Sequence, residues 1–143
     1  MKCMVDTNIF NKILDGVLRI EQLPANDGCV VTHVQIDELN ATKDMRRKTQ
    51  LLSQFEATAP ARIPTASFAF GVSLFGQSCW GDGIVFQIVK NDLDAANGGK
   101  RNNCQDALIG EASITNGLTL VTCDWDLAEA VKRAGGLVVS FAL

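Results

Sequence analysis

The chain has 143 residues, 47% of them hydrophobic, and a formal net charge of −3. That length fits a single domain over residues 1–143 with a substantial core, and the charge excludes a uniformly electropositive nucleic-acid binder, though not one that works through bound cations and local basic patches. Five cysteines, at positions 3, 29, 79, 104 and 123, form no C-x-x-C pair and are odd in number, which argues against a zinc ribbon or a disulfide framework.

The opening "KCMV" reads as a short inner strand that ends in a carboxylate, Asp6. Residues 8–18 carry Ile9, Ile13, Leu14 and Val17 at helical spacing, with Thr7 or Asn8 as cap. "GCVVT" (28–32) is a second inner strand, and residues 34–41 and 45–57 read as helices, the latter with Leu51, Leu52 and Phe55 as its apolar positions. "ARIP" is a short third strand. Residues 65–83 are ambiguous, because Phe68, Phe70, Val72 and Leu74 alternate as in a strand while Gly and Ser surround them. Residues 83–93 read as a helix, and "AANGGKRNN" as a break. A helix then starts with Asn103 as N-cap and Asp106 three residues on, and stops at Asn116-Gly117. "LTLVT" (118–122) is an inner strand, "DWDLAEAVKRAGG" a helix, and "LVVSF" the last strand.

The runs after Gly28, Leu118 and Gly136 are continuously apolar, as suits parallel strands covered on both faces. Strands alternate with helices, so the expected fold is an α/β three-layer sandwich with a mainly parallel central sheet. No basic segment precedes a long apolar one, and no run approaches the ~20 residues of a membrane span. With Cys3, Cys29 and Cys123 in apolar runs as buried thiols, a reducing, cytoplasmic setting without membrane contact is expected.

The acids fall in an ordered pattern. Open α/β sheets bind ligands beyond the carboxyl ends of their strands. Asp6 closes the first strand, Asp124 and Asp126 follow the 118–122 strand, Asp37 and Glu38 lie past the second strand, and Asp106 sits in a first helical turn. Each acid also has a plainer reading. Asp6 and Asp124 can cap helices, Asp126 can help the second of these, Glu38 can be a solvated helix charge, and Asp106 can favour its helix dipole. If the acids meet, each close pair costs ~4 kcal/mol at 4 Å and an effective dielectric near 20. A hard divalent cation, Mg²⁺ or Mn²⁺, relieves that repulsion with an all-oxygen ligand set. The chemistry this suggests is metal-assisted phosphodiester hydrolysis.

The set resembles the PIN-domain ribonuclease family. "MVDTNIF" resembles its opening strand and first acid, "IDELNAT" its second-helix glutamate element, and "QDALIGEASITNGLTLVTCDWDLAEAV" its C-terminal block. The resemblance implies that Asp6, Glu38, Asp106 and Asp124 are the catalytic acids and, with the more variable Asp126, the ligands of Mg²⁺ or Mn²⁺. It also implies that Asn8 and Thr122 support the site, and that RNA is cut to leave a 5′-phosphate and a 3′-hydroxyl. Many small members are VapC-like toxins, usually dimers, held inactive by a small antitoxin, so a homodimer, an antitoxin and RNA are the implied partners.

Lys100 and Arg101, directly before the Asp106 helix, are the basic residues placed to bind RNA phosphate, whereas Lys43, Arg46, Arg47 and Lys48 read as an ordinary charged surface. The stretch from 65 to 83 is longer and more aromatic than a minimal toxin calls for, and Phe68, Phe70, Phe75 and Trp80 are read first as core and second as an interaction or stacking surface. The single histidine, His33, is read as a local hydrogen-bond partner. An acid-cluster phosphatase of the haloacid-dehalogenase type lacks its second acid here, the sequence offering Asp6-Thr7-Asn8, and a receiver domain lacks its lysine. A PIN-like binding module with a structural cation remains as the non-enzymatic alternative.

Overall fold

The computed structural model describes residues 2–58, 60–67 and 83–142. The aromatic stretch, including Phe68, Phe70, Phe75, Cys79 and Trp80, lies outside the described residues.

Strand β1 (Cys3–Val5) is wholly buried and lies between β2 (Cys29–Val31) and β4 (Thr119–Thr122). Strand β3 (Ala61–Arg62) pairs outside β2, and β5 (Leu137–Ser140) outside β4. All four pairings are parallel, in the order β3-β2-β1-β4-β5.

Alternation along the strands sends side chains to two helical layers. Met4, Val30 and Leu120 join one core with Val89, Leu93, Leu108, Ile109, Leu127 and Val131. These come from α4 (Ile84–Asn97), α5 (Asn103–Thr115) and α6 (Trp125–Arg133). Cys3, Val5, Val31 and Val121 join the other core, with Ile9 and Phe10 of α1 (Thr7–Leu14) and Leu51 and Phe55 of α3 (Met45–Thr58). Helix α2 (His33–Asn40) gives Val34 to the first core and Leu39 to the second. The three-layer α/β sandwich expected from the alternation is therefore the architecture observed. No helix among the described residues is long and apolar enough to cross a membrane.

Several boundaries move. Helix α1 ends at Leu14, and Gly16 turns the chain at φ +74°, a conformation that glycine adopts at little steric cost. Val17 is consequently 51% exposed, and Leu18 is buried. Helix α4 runs on through Asp94, Ala95 and Ala96 to Asn97, so the break begins only at Gly98. Alanine is the strongest helix former, and nothing before Gly98 interrupts the ladder. Strand β5 is an edge strand, with Leu137 62% exposed, rather than one covered on both faces. Cys3 is buried, but Cys29 and Cys123 are only half-buried. All four described cysteines are free thiols, and burial pushes the pKa of each upward.

Candidate active site

The chain leaves β1 towards β2 and β3, then crosses back to β4 and β5 on the other side. The carboxyl ends of β1 and β4 therefore lie at a topological switch point, where the following segments diverge and leave a crevice. Asp6 stands there, its backbone N–H donating to Val121 O at 3.0 Å. Its extended backbone makes it the N-cap of α1, with Oδ1 accepting the Thr7 N–H at 2.7 Å. The capping reading of Asp6 is thus correct, and it occupies only one carboxylate oxygen.

The second oxygen of Asp6 is held by the two residues expected to support the site. Oδ2 accepts from Thr122 Oγ1 at 2.6 Å and from Asn8 Nδ2 at 2.9 Å. The Thr122 hydroxyl also accepts the Asp124 N–H at 2.9 Å, and Asn8 Oδ1 accepts the Cys123 N–H at 3.1 Å. The ends of β1 and β4 are thereby laced into one unit. Asp124 caps α6, its Oδ1 accepting the Leu127 N–H at 3.1 Å. Glu38, on the second turn of α2, accepts a hydrogen bond from the Thr7 hydroxyl at its Oε2.

Asp106 lies on α5. The helix begins one residue earlier than the capping-box pattern predicts, with Asn102 at the cap and Asn103 inside. Asn103 is buried, donating to Asp94 Oδ1 at 2.7 Å and to Asn97 Oδ1 at 2.8 Å, so its amide is committed to α4. Asn102 instead offers Nδ2 to Asp106 Oδ2 at 3.4 Å.

Asp6, Glu38, Asp106 and Asp124 line one cleft of about 310 Å³, together with Thr7, Asn8, Asn11 and Asn102. The electrostatics report the crowding. Burial, then the charges of Asp6, Glu38 and Asp124, push the Asp106 pKa up to about 8, against a smaller downward pull from Lys100. Burial raises Asp6 to about 6 despite the hydrogen bonds from Thr122 and Thr7, with Asp124 adding to the rise. Glu38 is also raised, by burial first and against its bond from Thr7, then by Asp6 and Asp37. Among the described residues no three His, Cys, Asp or Glu side chains stand close enough together to hold one ion as placed. The acids ring the cleft rather than meeting at a point. An all-oxygen donor set with an excess of negative charge fits a hard divalent cation in its chemistry.

Other expected residues stand farther off. Asp126, in the first turn of α6, is half-buried and is not among the described residues lining the cleft. Lys100 is exposed, but its charge is felt at Asp106, whereas Arg101 is exposed without a described contact there. Of the 43–48 cluster, Arg47 is committed to structure, with Nη1 donating to Asp15 at 2.8 Å and Nη2 to Asn11 Oδ1 at 2.9 Å. His33 pairs locally, its Nδ1 lying 3.2 Å from Asp37 Oδ2. Thr7, Asn11 and Asn102 were not anticipated as lining residues. Their signal was helical spacing, since Thr7 and Asn11 lie one turn apart on α1 and Asn102 precedes Asp106 by four.

The fold recurs among solved structures. VapBC-5 from Mycobacterium tuberculosis, a member of the VapBC family of toxin–antitoxin systems, is similar over 98% of this chain and 98% of its own, at 17% identity and a TM-score of 0.54. VapBC2 from Rickettsia felis, bound to a DNA fragment from the promoter, is similar over 98% of both chains at 17% identity and a TM-score of 0.58. A domain of a functionally unknown protein from Methanocaldococcus jannaschii covers 98% of this chain and 90% of its own, at 14% identity and a TM-score of 0.53. No family model matches the sequence, and no curated relative matches it at a significant level.

Proposed function

We propose that the chain is a PIN-type endoribonuclease dependent on Mg²⁺ or Mn²⁺, and the toxin of a toxin–antitoxin pair. One observation carries the nuclease reading: four carboxylates from four separate elements line a single cleft at the switch point between β1 and β4. Support for the toxin reading is the shared fold with two VapBC structures along nearly the whole of each chain. The partners it carries are RNA, a second copy of the chain and a small antitoxin, in the reducing cytoplasm that suits four free thiols.

In this reading Asp6, Glu38, Asp106 and Asp124 would hold the cation from around the cleft, part of the set through waters the cation retains, with Asp126 as an outer helper. When bound, the cation supplies Lewis acidity to the scissile phosphate and a lowered pKa to the attacking water. Three hydrogen bonds fix the Asp6 carboxylate, and the Thr7 hydroxyl fixes Glu38, so two of the acids are oriented before substrate arrives. Lys100, whose charge already reaches Asp106, and Arg101 beside it supply positive charge for the RNA backbone at the rim. Water adds to phosphorus as the 3′-oxygen leaves with a proton, giving a 5′-phosphate and a 3′-hydroxyl.

The test is cleavage of mixed RNA by pure protein with Mn²⁺ or with chelator, beside the Asp6→Asn form. Chelator and substitution should each lower the rate on the order of 10²-fold or more. Cleavage indifferent to both would place the activity elsewhere. Induced in cells, the wild-type chain should arrest growth and the Asp6→Asn form should not.

A further inference from the structure

Asn8, Asn11 and Asn102 all line the acid cleft, and their amides are engaged differently. Asn8 is spent within the site, its Nδ2 on Asp6 and Thr122 and its Oδ1 on the Cys123 N–H. Asn102 offers its Nδ2 to Asp106. Asn11, on the second turn of α1, is held instead from α3, its Oδ1 accepting from Arg47 Nη2 at 2.9 Å. Arg47 is anchored in turn by Asp15, with Nη1 2.8 Å from Oδ1 and Nη2 3.2 Å from Oδ2. A guanidinium only donates, so the amide atom facing it must be the oxygen, and the Asn11 amide is locked in one sense. Its nitrogen is turned the other way. It donates to the Thr7 carbonyl at a long 3.4 Å, one turn back towards the start of α1, where Asp6 and Thr7 line the cleft. The second N–H of that nitrogen has no partner among the described residues. In a cleft ringed by carboxylates, this is a neutral donor of fixed direction.

We propose that Asn11 binds substrate, donating through Nδ2 to a non-bridging oxygen of an RNA phosphate beside the scissile one, and that Arg47 is the positioning residue that aims it. The inference rests on the nuclease reading and adds two residues to it. The RNA backbone brings negative charge into a cleft already lined by four carboxylates, and a charge-assisted hydrogen bond offsets part of that repulsion. Arg47 does not itself line the cleft, so it acts through the amide.

The probe is a short single-stranded RNA cleaved in Mn²⁺, made also with one phosphate at a time replaced by a neutral methylphosphonate. Asn11→Ala should raise KM about 10- to 150-fold with a much smaller change in kcat, as expected when a contact to a charged group away from the breaking bond is lost. Asn11→Asp keeps the shape and the Arg47 bond but turns an acceptor towards the substrate, so its KM should rise at least as far. Arg47→Met should raise KM on the order of 5-fold alone, yet add little to Asn11→Ala, because both remove the same contact. One methylphosphonate position should raise the wild-type KM and leave that of Asn11→Ala nearly unchanged. A wild-type KM in both Asn11 variants on the unmodified RNA overturns the inference and leaves the nuclease reading standing. So do Arg47→Met and Asn11→Ala effects that multiply independently. If the wild-type protein in Mn²⁺ cleaves no RNA, the nuclease reading fails and this inference fails with it.

Discussion

Thr122 shows how much of the site hangs on a single hydroxyl. Its Oγ1 donates to Asp6 Oδ2 at 2.6 Å, and accepts from the Asp124 N–H at 2.9 Å and from Asn8 Nδ2 at 3.3 Å. Valine matches the shape and removes all three bonds. Thr122 is fully buried, so water cannot replace them. The Thr122→Val protein should lose about 1–3 kcal/mol in urea unfolding. Its Asp6 should titrate higher than the present value of about 6, because the Thr122 bond is the largest force holding that pKa down. Cation affinity should fall roughly 10- to 100-fold, as for other outer-shell partners of metal ligands. Equal cation-induced shifts in melting temperature for the two proteins would show that the hydroxyl does not orient the site. Thr122→Ser, which keeps the hydroxyl, should behave like wild type.

At the level of elements, α5 is the rod that carries Asp106 to the cleft, and its seating depends on a glycine. A Cβ built on Gly110 would lie 2.9 Å from Val131 Cγ2 and 3.3 Å from Val89 Cγ1, where α5 meets α6 and α4. Gly110→Ala should therefore destabilise the fold by about 1–3 kcal/mol through overpacking, and pushing α5 away should also lower the cleavage rate. A Gly110→Ala, Val131→Ala double substitution should recover part of both, and its failure to do so would deny the steric account. The helices, most of the strands and the acids that follow β1 and β4 were legible in the sequence, because each is a local pattern of period, cap or run. What escaped was decided at long range. Asn102 and Asn103 are equally good caps by composition, and the choice falls to the buried amide bonds of Asn103 with Asp94 and Asn97. Glu111 is buried, with Oε2 accepting from Ser67 Oγ at 2.8 Å and from the Phe86 N–H at 3.1 Å. Nothing local in "LIGEASI" announces a carboxylate that ties α5 to residues 44 and 25 positions away.

For the whole molecule, the acid cleft makes stability a function of pH and cations together. The folded-state pKa values of Asp6 and Asp106, about 6 and about 8, lie above their ordinary value of 3.8. Between those limits the native chain binds more protons than the unfolded one, so stability falls as pH rises. Asp15 and Asp94 shift the other way, held below the usual carboxylate range by Arg47 and by Lys90. Their contribution is lost only as pH falls below about 4, outside this window. In chelator, the melting temperature should therefore decline from pH 5 to pH 8.5. Asp106→Asn should flatten that decline and melt higher than wild type at pH 8, although it would be inactive. A divalent cation that binds only the native cleft stabilises by about 2.7 kcal/mol at 100 times its Kd. For a chain of this size that is a rise on the order of 10 °C, largest at high pH where the bare acids repel most. Asp106→Asn should lose most of that rise. A melting temperature that climbs with pH in chelator, or ignores millimolar Mg²⁺ and Mn²⁺ at pH 8, would mean that the four carboxylates are not a cation site.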